Sequence, residues 1–160
     1  MTEPPRTPPQ PGADASDWRR HLLERDGDIA ALLRRIRRIA VLGIKTEDSG
    51  QPAYFVPRYA QRVGFEIVPV PVYYPDVTEI LGEPVYRKVA DVPGEIDLVN
   101  VFRRPRDIPP HVDDILAKQP KAVWFQSGIR NDEAAERFAR AGIDVVQDRC
   151  LMVELRYVGK

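Results

Sequence analysis

The sequence predicts an α/β domain, a Rossmann-like three-layer sandwich built on a five-stranded parallel sheet. Three observations carry the prediction. Five short apolar runs, beginning near residues 39, 65, 96, 122 and 143, are separated by segments of helical period. Each run ends in glycine, proline or polar residues before the next helical pattern begins, the punctuation of strand-loop-helix units. The chain has 160 residues, enough for one domain with a real core. Strands alternating with helices imply a parallel sheet with right-handed crossovers, and the order expected for it is 3-2-1-4-5.

Residues 1–13 hold five prolines and no periodic pattern, so they read as a disordered, proline-rich tail ahead of a domain over 14–160. Within it, residues 14–38 read as a helical extension, with Trp18, Leu22, Ile29, Leu32, Leu33 and Ile36 at helical spacing. Asp26-Gly27-Asp28 is expected to divide it into two helices. Arg34, Arg35, Arg37 and Arg38 follow at the end, where cations favour the helix dipole.

The first strand covers 39–44 and ends at Gly43-Ile44, followed by the polar loop Lys45-Thr46-Glu47-Asp48-Ser49-Gly50-Gln51. A helix over 52–63 opens at Pro52, places Val56, Tyr59, Ala60 and Val63 on one face, and stops at Gly64. Pro57 inside it removes one intrahelical bond, which predicts a kink or a tightened first turn. The second strand covers 65–70 and leaves through Pro71 into an extended loop. A short helix is expected over 76–81, a turn and a short extended piece over 82–86, and a turn over 89–93.

The third strand covers 96–102 and is followed by Arg103-Arg104-Pro105-Arg106-Asp107 and a helix over 110–118. The fourth covers 122–125, and Gln126-Ser127-Gly128-Ile129-Arg130 leads to Asn131, a good N-cap with acids in the turn behind it. That helix ends at Gly142, the fifth strand covers 143–146, and Asp148-Arg149-Cys150 leads into a short terminal helix.

Bulk properties narrow the function classes. Formal net charge is zero, so no whole-chain field recruits nucleic acid or an anionic membrane. A single cysteine gives no intrachain disulfide, and two histidines, His21 and His111, argue against a His-rich metal site; no metal is expected. No apolar run approaches a membrane span and no signal core opens the chain, so the expected location is cytoplasmic.

Ligands of an open parallel sheet collect at the carboxyl ends of the strands, where backbone N–H groups and helix N-termini favour phosphate. Those ends offer Lys45 and Ser49 in the first loop and Arg58 in the next helix. Arg103, Arg104 and Arg106 follow the third strand, and Gln126, Ser127 and Arg130 the fourth. Arginine suits bidentate phosphate contacts. A dinucleotide fingerprint is absent: one glycine stands where three are needed, and Val68-Pro69-Val70-Pro71 supplies no acid for a ribose. A Walker loop is absent as well.

The chain resembles the small single-domain CoA-binding proteins, the YccU-like group, which look like the N-terminal CoA-binding domain of the succinyl-CoA synthetase α subunit standing alone. The resemblance rests on Ile39-Ala40-Val41-Leu42-Gly43, Val68-Pro69-Val70, Asp97-Leu98-Val99-Asn100-Val101-Phe102-Arg103-Arg104, Val123-Trp124-Phe125-Gln126-Ser127-Gly128-Ile129-Arg130-Asn131 and Asp148-Arg149-Cys150. It covers roughly residues 35–155. It implies coenzyme A or an acyl-CoA as the bound cofactor. The loop around Gly43, Ile44, Lys45 and Ser49, with Pro52 and Arg58, would hold its phosphates. Val70-Pro71 and Val101-Phe102-Arg103 would flank the adenosine, and Gln126 and Gly128 would face the pantetheine arm. Glu47 and Asp48 in the first loop oppose an anion there.

The expected function is therefore a non-catalytic CoA or acyl-CoA binder, with no catalytic residues assigned. The synthetases of this resemblance carry their phosphorylated histidine in another domain. His111 has no oriented partner in the sequence pattern and reads as a surface residue. Cys150 reads as a buried structural thiol, with a mixed disulfide to CoA as a side hypothesis. An NAD(P)-dependent oxidoreductase and a ligand-free interaction module are the alternatives. A small-molecule ligand is the expected partner, without nucleic acid or membrane, and a homodimer is left open.

Overall fold

The computed structural model describes residues 17–160, so the proline-rich tail lies outside the described residues. Five parallel strands form the sheet: β1 (Arg38–Leu42), β2 (Glu66–Val70), β5 (Leu98–Val101), β6 (Ala122–Phe125) and β7 (Asp144–Val146). Helices α1 (Asp26–Arg35), α2 (Pro52–Arg62) and α5 (Leu151–Tyr157) cover one face, and α3 (Pro109–Lys118) and α4 (Asp132–Arg140) the other. The strands read as continuous apolar runs because both faces are covered. Successive residues serve opposite layers: Ile39 and Val41 pack with α1, α2 and α5, while Ala40 and Leu42 pack toward α3 and α4.

The α/β class and the five parallel strands are as the sequence predicts, but the order differs. The sheet runs β2-β1-β5-β6-β7, which is 2-1-3-4-5 in the predicted strands rather than 3-2-1-4-5. All four residues of β5 are buried, so this strand needs a neighbour on each side. In β2, Pro69 has no N–H to give, and its carbonyl turns outward to accept Tyr86 N–H at 3.0 Å. A proline at that place suits an edge strand. The point where the order reverses therefore falls between β1 and β5, beside the loop that opens at Gly43.

The crossover from β2 to β5 departs from expectation too. Where a short helix is predicted, β3 (Glu79–Ile80) and β4 (Glu83–Pro84) form a small hairpin. Its turn holds Leu81 at φ 56° and Gly82 at φ 75°, the paired positive values of a type I′ hairpin. The N-terminal extension is not continuous helix either. A 3-10 turn (Trp18–His21) is followed by extended chain, and Asp26-Gly27-Asp28 starts α1 rather than breaking it, with its acids at the positive end of the dipole. The extended piece covers the open edge of β7: Leu22 bridges Val145, and Leu23 N–H donates to Val145 O at 2.8 Å.

Asp97 fastens the amino ends of the inner strands β1, β5 and β6. Its carboxylate accepts the N–H groups of Arg37 and Arg38 at 2.8 and 2.9 Å and pairs with Lys121 at 3.1 Å. Partial burial opposes its charge, but those N–H groups and the Lys121 ammonium outweigh it and hold the carboxyl below its ordinary 3.8. This contribution is present above the unfolded pKa and disappears as pH falls through the lower folded value. Asp97→Asn is therefore expected to flatten the acid limb of a stability-versus-pH curve measured by urea unfolding, with the difference from the parent largest near neutral pH.

Candidate functional site

Gly43 ends β1 at the point where three strand ends meet. Its N–H donates to Val70 O at 2.9 Å, while Phe102 N–H donates to Leu42 O at 2.9 Å. Its φ is +85°, and a Cβ there would lie 2.4 Å from the Phe102 carbonyl oxygen and 3.3 Å from Arg103 Cδ. Only glycine satisfies both the conformation and the space. The close approach brings the loop after β1 against the loop after β5, and a cleft of about 550 Å³ opens along them toward β6. That size is within the usual range for small-ligand sites.

One wall is the start of α2. Pro52, Phe55 and Val56 share a helical face and line the cleft with Ala53. Pro57 does not simply weaken this helix. It frees the Ala53 carbonyl, which accepts Lys45 N–H at 3.2 Å and ties the first loop to the helix wall. Lys45 Nζ donates to Gln51 Oε1 at 2.6 Å, also at the cleft. Glu47 and Asp48 lie in a 3-10 turn and do not line the cleft, so the two acids of the loop stay off its surface.

The second wall follows β5. Arg103 donates from Nη1 to Tyr73 Oη at 3.3 Å and lies 5.6 Å over the tyrosine ring, while its Nε is buried with no partner among the described residues. The hydrogen bond from Arg103, followed by its charge, lowers the Tyr73 pKa. Arg104 Nε donates to Asp107 Oδ2 at 2.8 Å, which holds that carboxyl below its ordinary value. His111 is half-buried rather than a surface residue; burial and then the Arg103 charge lower its pKa.

The third wall follows β6. Gln126 is 4% exposed, and its Oε1 accepts Leu151 N–H at 2.9 Å, which satisfies an otherwise orphaned donor of α5. This orients the side-chain amide at the cleft. Gly128, at φ +81°, donates its N–H to Asp148 Oδ1 at 2.6 Å. Cys150 precedes α5, is partly exposed and lines the cleft, so it is not the fully buried thiol of the sequence reading.

Six of the thirteen expected site residues line the cleft together: Lys45, Pro52, Phe102, Arg103, Gln126 and Gly128. Gly43, Ile44, Val70, Pro71 and Val101 are buried beneath or beside it and form its frame. Two lie off it. Ser49 Oγ accepts Gln51 N–H at 3.3 Å within its own turn. Arg58 lies about 200° around α2 from Val56 and places its guanidinium 5.7 Å over Tyr54. The sequence reading missed Gln51, Ala53, Phe55, Val56, Pro105 and Ile129 as lining residues. The spacing of Pro52, Phe55 and Val56 was the available signal.

Fold and cleft define a small Rossmann-like domain with a ligand-sized opening at its topological switch point. A family model described as "CoA binding domain" matches residues 37–156, and the chain belongs to this family. It is 32% identical over 126 residues to "Uncharacterized protein YneT" of Bacillus subtilis (strain 168), covering 79% of this chain and 90% of that one. The solved structure of cell-free ID.343 from Thermus thermophilus is similar at TM-score 0.77 and 38% identity, covering 84% of this chain and 99% of that one. A hypothetical protein from Pyrococcus horikoshii OT3 is similar at TM-score 0.76 and 32% identity, covering 84% and 92%. Among the described residues no helix is long and apolar enough to cross a membrane.

Removing the Gln126 carbonyl strands a buried donor. Gln126→Leu is expected to cost about 1–3 kcal/mol in denaturant unfolding, with faster hydrogen exchange at the Leu151 amide.

Proposed function

We propose that this protein is a non-catalytic binder of CoA or an acyl-CoA, held at the carboxyl ends of the parallel strands. The observation that carries this reading is the division of the cleft. Its rim near β1 and β5 presents Lys45, Arg103 and Arg104, suited to phosphate. Its walls present Phe55, Val56, Phe102 and Ile129 with the amide of Gln126 between them, suited to a chain of methylenes and amides. The buried Arg103 Nε, unpartnered among the described residues, is a donor that an anionic group would suit. Lys45, Pro52, Phe102, Arg103, Gln126 and Gly128 are the residues assigned to hold it, on the frame of Gly43, Ile44, Val70, Pro71 and Val101.

The non-catalytic part of the reading rests on the lining of the cleft: among the described residues His21 Nδ1 meets Asp144 Oδ1 at 2.8 Å, but neither residue lines the cleft. The His111 side chain has no hydrogen-bond partner among the described residues, and a general base needs one to orient it. The NAD(P) alternative meets a Gly43–Asp48 stretch with one glycine where the dinucleotide fingerprint needs three, and a β2 that leads into Val70-Pro71 without an acid.

Calorimetric titration with CoA, acetyl-CoA, NAD and NADP separates these readings. CoA and acetyl-CoA are expected to bind and the dinucleotides not. Binding of NAD(P) alone would overturn the CoA reading, and binding of none would favour an interaction module. Arg103→Ala is expected to weaken CoA by roughly tenfold or more, the scale of a charge-assisted hydrogen bond, without a matching loss of Tm. Cys150 offers a trap for the bound thiol. Its thiolate would displace one CoA thiolate from CoA disulfide, leaving a protein–CoA disulfide. Mass spectrometry under non-reducing conditions should find one CoA mass on Cys150, and an unmodified thiol would remove it from the arm's path.

A further inference from the structure

Asn100 is the polar residue that neither the sheet nor the cleft accounts for. It is 0% exposed, and its side-chain nitrogen and oxygen both lack a partner among the described residues. It stands in β5, the central strand, in register with Val41 of β1 and Trp124 of β6. Val41 offers it nothing polar. Trp124 spends its ring N–H on Arg149 O at 2.7 Å. The layer facing it is apolar: Val56 and Ala60 from α2, Leu151 and Leu155 from α5. An apolar side chain would fill such a position better, because an unpaired buried amide is costly to keep.

Its position relative to the cleft suggests what the amide meets. Side chains alternate along a strand, so Phe102 shares the face of Asn100, as Gln126 shares that of Trp124. Phe102 and Gln126 both line the cleft. Asn100 therefore lies one strand repeat beneath the cleft floor, about 7 Å along β5. The half-buried Phe102 ring separates the two, and the walls above are the short side chains of Ala53 and Cys150 and the branched Val56.

We infer that Asn100 is the inner recognition point of the cleft, exchanging hydrogen bonds with an amide of the ligand's pantetheine arm once the Phe102 ring turns aside. This rests on the CoA reading above. The chemistry matches: an arm of secondary amides and methylenes brings a donor and an acceptor to a side chain that has both, between apolar walls. A nucleotide without the arm would hold to the cationic rim and leave Asn100 alone.

The test compares CoA with adenosine 3′,5′-bisphosphate, which lacks the arm, on the wild-type chain and on Asn100→Leu. Asn100→Leu is expected to lose about tenfold in CoA affinity and less than about twofold for the bisphosphate. Equal losses for both ligands, or none for either, would overturn the assignment; the amide would then be serving a buried water. Should Asn100→Leu fail to fold, the wild-type chain still decides. The ¹⁵N side-chain resonance of Asn100 is expected to shift with CoA and not with the bisphosphate, and a resonance that ignores CoA overturns the inference. A wild-type chain that binds no CoA at all defeats the parent reading instead, so the two failures are distinguishable.

Discussion

The structure depends on one close contact, the passage of Gly43 beneath the Phe102 carbonyl. A Cβ at 2.4 Å from that oxygen is excluded, so the ends of β1 and β5 sit together only because residue 43 has no side chain. The contact stacks the aliphatic stem of Arg103 over the first loop and sets the cleft at the point where the strand order reverses. Had β5 lain outside β2, Arg103 would stand two strands from Gly43, and no shared rim would form.

Around that contact, two of the three walls of the cleft are fixed by a backbone group released elsewhere. Pro57 releases the Ala53 carbonyl, and Lys45 N–H takes it. The start of α5 leaves Leu151 N–H without a helical partner, and Gln126 takes it. The residues that shape the cleft therefore also satisfy helix ends. Loop one and the α2 wall are coupled, as are the β6 loop and the α5 wall, so neither pair moves independently at low cost.

Charge is sorted by the same geometry. The first loop holds Lys45 beside Glu47 and Asp48 in sequence, yet only Lys45 lines the cleft, because a 3-10 turn carries the acids away. Across the opening, Arg103 is held against the exposed Tyr73. A chain of zero net charge thus presents a cationic rim at one place.

Much of this was legible in residue order. The five strands, the Asn131 cap with its 3.0 Å bond from Ala134 N–H, and the candidates Lys45, Arg103 and Gln126 follow from periodicity, turn chemistry and family resemblance. Local signals record which segments pair with water and which with a core, so they locate strands and loops well. They carry little about which strand neighbours which, since that is settled by long-range burial. Pro69 was the one local hint that β2 is an edge. Tertiary structure alone decided the place of β5, the distance between Gly43 and Phe102, and the isolation of Asn100. Each of those depends on what packs opposite a residue, and a sequence lists neighbours only along the chain.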